Sequence, residues 1–137
     1  MSTYVIDACA LIAYLFDEEG SDLFEKLLFQ ARDDKLRLLM HVVNLGEVYY
    51  DMVKRNSVTI AQETYRDIKQ LPIRFEKCIN DRMIYKIGEL KPIYRMSYAD
   101  AFAVAQSILT DATLVTTDHK EFDPLERANV VRIKWLR

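Results

Sequence analysis

The segment SYADAFAVAQSILTD, residues 97–111, is apolar nearly all round at helical spacing. A helix of that kind has no face to turn to water, so it must lie centrally with other elements packed about it. The chain has 137 residues, half of them hydrophobic. That is enough to bury a core, and it predicts one domain over residues 1–137. From Ser97 to Leu109 the only charge is Asp100. A second stretch, YVIDACALIAYLF at residues 4–16, is equally apolar and is interrupted only by Asp7. An unpaired buried carboxylate costs several kcal/mol or more, as a rough figure. Two such acids in one short chain point to a site.

The remaining segments set these acids in a frame. TYVID (3–7) predicts a short buried strand, followed by a helix over ACALIAYLF. Residues 20–34 carry apolar side chains at 23, 24, 27, 28 and 31, the stripe of an amphipathic helix. LRLLMHV (36–42) predicts a second strand, and NLGEVYYDMVKR (44–55) a helix with a polar row at Asn44, Glu47, Asp51 and Lys54. A further helix over 59–71 is expected to stop at Pro72, another spans 80–91, ATLVTT (112–117) is the clearest strand, and NVVRIKWL (129–136) is a last, edge strand. Strands alternating with helices imply an α/β fold with a mostly parallel central sheet covered on both faces. Ligands in such sheets bind beyond the carboxyl ends of the strands.

Four acids fall at those ends. Asp7 follows the first strand and Asp118 follows ATLVTT. Glu47 comes three residues after Asn44, and Asp100 three residues after Ser97. Each acid alone is also what a helix N-terminus selects, because orphan N–H groups and the macrodipole favour a carboxylate there. Ser97-x-x-Asp100 and Asn44-x-x-Glu47 resemble capping boxes, and Asp7 and Asp118 resemble plain N-caps. Together, four carboxylates at one sheet edge would repel one another unless a cation lay among them. Oxygen-only ligands suit Mg²⁺ or Mn²⁺ and disfavour zinc. Such ions activate water and clamp phosphate, which is what phosphodiester cleavage requires.

With YVIDACALIAYLF, NLGEVYYDM, MSYADAFAVAQSI and LVTTDHKEF in this order, the chain resembles the PIN-domain nucleases over nearly its whole length. It looks most like the VapC-type toxins of toxin–antitoxin pairs. The resemblance implies a three-layer α/β/α sandwich and an acidic quartet of Asp7, Glu47, Asp100 and Asp118 holding one or two Mg²⁺ or Mn²⁺ ions. It implies a supporting hydroxyl at Thr116, cleavage of RNA, a homodimer, and a cognate antitoxin whose C-terminal segment covers the groove. The chain departs from the family at His41, where many members carry Ser or Thr, and at Lys91-Pro92. It also adds Glu121 and Asp123 after the quartet, where loop charges in solvent are expected.

The net charge of −2 argues at first against a nucleic-acid partner. Setting the quartet aside turns the balance positive. Candidate RNA contacts are then Lys54 and Arg55, the cluster Arg32, Lys35 and Arg37, and Arg95 two residues before Ser97. Tyr14, Phe16, Tyr49, Tyr50 and Phe102 are expected to pack in the core rather than stack on bases. Phe24, Leu27 and Leu28, with Tyr49 and Tyr50, are candidates to line an antitoxin groove. Cys9 and Cys78 form neither a zinc pattern nor a disulfide framework, which fits a reduced, cytoplasmic setting. The N-terminal apolar run is too short for a membrane span of about 20 residues and lacks the basic start of a signal peptide. Two other metal-dependent phosphate enzymes lack their marks. DACAL (7–11) has no second Asp for a phospho-aspartate route, and no paired acids precede the first helix as in a receiver domain. A non-catalytic module that binds RNA or protein stays open as the alternative.

Overall fold

The computed structural model describes residues 1–137. In chain order it contains β1 (Ser2–Ile6), α1 (Ala8–Leu15), α2 (Ser21–Arg32), β2 (Leu36–His41), α3 (Val42–Arg55) and α4 (Val58–Ile68). β3 (Arg74–Glu76), α5 (Asp81–Leu90), α6 (Tyr98–Leu109), β4 (Thr113–Thr116), α7 (His119–Arg127) and β5 (Ile133–Trp135) follow. The strands form one sheet in the order β3-β2-β1-β4-β5. Every neighbouring pair is parallel, so the sheet is parallel throughout rather than mostly so.

The chain leaves central β1 in one direction to lay down β2 and β3, then returns to the other side for β4 and β5. With right-handed crossovers this puts α1–α4 on one face and α5–α7 on the other. The cores divide accordingly. Ile6, Leu38, Met40 and Val115 pack with Leu11, Phe24, Leu45 and Val48. Val5 and Leu114, one step along their strands, pack with Met83, Phe102, Val104 and Phe122. Helix α6 is buried on nearly every side, and Ala99, Ala101, Ala103 and Ala105 let it lie close to its neighbours. No helix is long and apolar enough to cross a membrane.

Two elements were not foreseen. β3 has only three residues and sits at the sheet edge beside β2, too short to show a period. Helix α7 carries Pro124 in its interior, which normally argues against a helix. Three boundaries also shift. The helix expected over 59–71 ends at Ile68, before Pro72. The strand expected over 129–136 is ordered as a strand only at 133–135. Helix α3 starts at Val42, not Asn44, with His41 as its N-cap.

The chain has three glycines, and four helices close without one. Asp17, Asp34, Asp111 and Asn129 adopt positive φ just past the ends of α1, α2, α6 and α7. Next to each, an N–H reaches back across the last turn, as in Glu18 to the Ala13 carbonyl and Lys35 to the Gln30 carbonyl, both near 2.9 Å or closer. The same bonds join Ala112 to Ser107 and Val130 to Leu125. These are Schellman closures with Asx in the left-handed position usually given to glycine. Gly20 is kept for a tighter place. Its φ is 101°, and a Cβ there would lie 2.8 Å from the Leu136 Cβ. The Leu136 N–H donates to the Thr116 carbonyl (3.1 Å), so this turn braces the end of β4. Gly20→Ala should lower stability by about 1–3 kcal/mol, read as a lower urea midpoint at unchanged m.

Candidate active site

The strand order reverses between β1 and β4, and the carboxyl ends of these two strands carry Asp7 and Thr116. Asp7 is 1% exposed. Its Oδ1 caps α1 by accepting the Ala10 N–H at 2.8 Å, and its Oδ2 accepts the Thr116 hydroxyl. Thr116 Oγ1 in turn accepts the Asp118 N–H at 3.1 Å. Asp118 caps α7 by accepting the Glu121 N–H at 3.2 Å. One hydroxyl thus orients the buried carboxylate and fixes the loop holding the next. At the start of α6 the Asp100 N–H donates to Ser97 Oγ at 3.1 Å, the capping geometry expected from the sequence. Asp7, Asp118 and Ser97 are N-caps, as their spacing suggested.

Asn44 is not. His41 takes the cap of α3, accepting the Val43 N–H on Nδ1 at 3.1 Å, while its Nε2 donates to the Cys78 carbonyl at 2.9 Å. His41 thereby fills the N-cap role that Ser or Thr would play and packs at a 40° tilt against Phe102 of α6 with centroids 4.8 Å apart. Asn44, moved one turn in, is 1% exposed. Its Oδ1 accepts the Ala8 N–H at 3.2 Å and its Nδ2 donates to the Ala99 carbonyl at 3.1 Å. A single amide on α3 therefore ties together the starts of α1 and α6, the three helices that carry or follow Asp7, Glu47 and Asp100. Nothing but a lone Asn at a polar helix position marked it in the sequence.

The acids lie within one another's fields. Burial pushes the Asp7 carboxyl up to about 7; Thr116 and Ala10 pull it back in part, and Asp100 and Asp118 add repulsion. Burial also raises Asp100 to about 6, against the Ser97 hydroxyl, with repulsion from Glu47, Asp118 and Glu121. Glu47 is raised by burial. Cys9, beside Asp7 on α1, is raised by burial first and then by all four acids, Asp7, Asp118, Asp100 and Glu47. Its thiol therefore samples the whole group and is held protonated. Iodoacetamide should modify exposed Cys78 well before Cys9; equal rates on mapping the two peptides would contradict this.

No three His, Cys, Asp or Glu side chains close on one point as a ready-made metal cluster. The donors are nonetheless all oxygen, and the raised affinity of Asp7, Asp100 and Glu47 for protons is what a cation would relieve. Mg²⁺ suits such a setting, since it binds through one or two carboxylates and keeps several waters.

The other candidates fall in different places. Arg95 lines a cleft next to Glu121. Arg55 is engaged, paired with Asp51 at 2.7 Å and lying over the Phe16 ring, and Lys54 is exposed beside it in the last turn of α3. Lys35 and Arg37 flank the start of β2, at the sheet edge opposite the acids, and Arg32 covers Phe29. Phe24 and Leu27 are buried in the core, where the stripe of α2 faces the sheet, whereas Leu28 reaches a cleft it shares with Tyr14 and Phe29. Tyr14 stacks on Phe24, and Phe102 is buried, both as core residues. Tyr50 is 67% exposed. It shares a cleft with Ile12, Val43 and Glu47. Asp123 pairs with His119. Glu121, expected to be a loop charge, sits in the first turn of α7 and acts on Asp100.

A five-stranded parallel sheet with acids at its switch point defines a doubly wound α/β fold, and sequence comparison narrows it. The PIN domain family matches residues 4–128, and the chain belongs to that family. No curated protein matches it by sequence. Among solved structures it is similar to VapBC2 from Rickettsia felis bound to a DNA fragment from their promoter, with a TM-score of 0.72 and 19% identity over 97% of this chain and 98% of that one. VapBC-1 from nontypeable Haemophilus influenzae gives 0.71 and 15%, over 98% of each chain. DNA-bound VapBC from Salmonella typhimurium gives 0.73 and 14%, over 100% of each. At these identities the likeness is one of fold.

Proposed function

We propose that this chain, as a single domain over 1–137, is an endoribonuclease dependent on Mg²⁺ or Mn²⁺ and the toxin of a type II toxin–antitoxin pair, acting in the cytoplasm as a homodimer. The observation that carries the reading is geometric: the 1% exposed Asp7 is held by the Thr116 hydroxyl, which also fixes the Asp118 backbone, and Asp100 and Glu47 lie near the starts of the neighbouring helices at the same switch point. Capping accounts for Asp7 and Asp118 one at a time, but not for a carboxylate buried among other acids. Asp7, Asp100 and Asp118 would hold the metal through carboxylate oxygens, and Glu47 would hold it or orient the attacking water. A bound divalent ion supplies charge neutralisation at the phosphate and an acidified water. Thr116 holds the Asp7 carboxylate in one rotamer, and Asn44 holds the helices that present Asp100 and Glu47. The VapBC neighbours support a cognate antitoxin as partner, and the cleft containing Tyr50 and Glu47 is the place its covering segment would lie.

The test is cleavage of transfer, ribosomal and messenger RNA by purified protein in Mg²⁺ and in Mn²⁺, with EDTA and an Asp100→Asn protein prepared in parallel. Cleavage should need metal and should fall by about 10³-fold or more in the variant, the scale of removing a group that positions or stabilises charge in the transition state. Activity retained by Asp100→Asn would remove the assignment. RNA binding that survives both EDTA and loss of all four acids, without cleavage, would instead favour the binding-module alternative.

A further inference from the structure

The carboxylate edge borders a second cleft of about 460 Å³, walled by the loop before α6 and the first turns of α7. Arg95 enters from the first wall and Lys120 from the second, with Tyr94 and Glu121 beside them. Neither cation belongs to an ion pair. Glu121 joins this cleft to the quartet, since its N–H is held by Asp118 Oδ1 at 3.2 Å. The wall bearing Arg95 is braced. Lys91 Nζ donates to the Met96 carbonyl at 2.6 Å and lies over the Tyr98 ring, and the Tyr94 N–H donates to the Leu90 carbonyl at 2.9 Å. Two free cations are thus mounted in a concave site next to acids that repel phosphate. The other basic candidates lack this combination. Arg55 is neutralised by Asp51, and Lys35 and Arg37 lie at the far edge of the sheet.

We propose that Arg95 and Lys120 together seat a backbone phosphate of the RNA strand, one beside the phosphodiester lying over the acids. The proposal rests on the ribonuclease reading above and names how that site takes its substrate. A strand entering the carboxylate edge is repelled until metal binds. A cation pair at the border offsets that field where the neighbouring phosphate sits. Phosphate seating sets register and carries no base preference.

The experiment compares binding of a short fluorescein-labelled single-stranded RNA of mixed sequence across a salt series in Mg²⁺. The parent is the full-length Asp100→Asn chain, and the test protein adds Arg95→Ala and Lys120→Ala. A parent carrying Lys26→Ala, an exposed change on α2 in the other helical layer, controls for general charge loss. The seat predicts about tenfold weaker binding at low salt and a log–log salt slope shallower by about one, with no change in the Lys26 control. Cleavage by the wild-type background carrying the two substitutions should show a raised KM at nearly unchanged kcat. Unchanged affinity and slope in the double variant would overturn the seat while leaving the nuclease reading intact. Binding without cleavage by wild type would overturn the nuclease reading, and the slope would still decide the seat. No RNA binding by the parent at any salt would overturn both.

Discussion

Asp7→Asn should raise the unfolding temperature of the metal-free protein at pH 8 while abolishing its cleavage of RNA. The two effects have one cause. Asp7 is 1% exposed, and burial pushes its carboxyl up to about 7. In the unfolded chain the same group titrates near an ordinary value of about 3.9. Between those values the folded state holds a proton that the unfolded state has released. The contribution to stability is therefore complete below about pH 4, is lost as pH rises, and is gone above about pH 7. The slope is about 1.4 kcal/mol per pH unit, on the order of 4 kcal/mol in all. An amide carries no such penalty, and its oxygen can still accept the Ala10 N–H. The Thr116 hydroxyl would face the amide nitrogen and accept rather than donate, at a cost of about 1 kcal/mol, which is smaller than the gain at pH 8. The variant should thus melt close to wild type near pH 4 and on the order of 10 °C above it at pH 8. Adding Mg²⁺ should narrow that gap by stabilising wild type alone. A gap that stays constant from pH 4 to 8 would show that Asp7 is not held against its charge. A gap indifferent to Mg²⁺ would detach it from metal binding.

Asp7 and Asp100 could be picked out in the sequence because each is an isolated charge in an apolar stretch, and Asp118 because it directly follows the clearest strand. The capping role of Asp7 and Asp118 was legible from the same positions, while at α6 the cap is Ser97 and Asp100 follows it in the first turn. Asn44 stands where a customary N-cap would. Ser, Thr, Asp and Asn are the usual choices, so the Asn44-x-x-Glu47 spacing looked like a start. His41 caps instead, through a neutral ring nitrogen, and the helix begins two residues sooner. That shift turned Asn44 from a surface cap into a buried bridge. The helix closures at Asp17, Asp34, Asp111 and Asn129 leave no glycine to mark them in the sequence. β3 is too short to show alternation, and the interior Pro124 masked α7, so Glu121 and Asp123 seemed to lie on a loop. Which cations are free could not be read at all. Arg95 stands out in sequence only by its place two residues before Ser97, and only the fold shows that Asp51 and Phe16 engage Arg55.

Replacement of Asn44 by leucine, nearly the same size, should be among the most damaging changes outside the acids. Two buried hydrogen bonds would go, and the Ala8 N–H would be left facing hydrocarbon. An unsatisfied buried group costs about 1–3 kcal/mol beyond the lost bond. The Ala99 carbonyl is less exposed to loss, since within α6 it can still accept from the turn above. A total of about 2–4 kcal/mol follows, or a melting temperature lower by on the order of 10 °C. The damage should also be directional. The starts of α1, α3 and α6 would no longer be held together by one amide, and these starts present the acids. RNA cleavage measured well below the variant's melting temperature should therefore fall by about tenfold or more, since small displacements of positioned groups are costly. Asn44→Asp separates the two roles. Its charged form cannot donate to the Ala99 carbonyl and adds a fifth acid to the group, whereas its protonated form can donate again. Its stability relative to wild type should then worsen as pH rises, whereas the deficit of Asn44→Leu should not depend on pH. A leucine variant as stable and as active as wild type would show that packing alone, without this amide, sets the three helices.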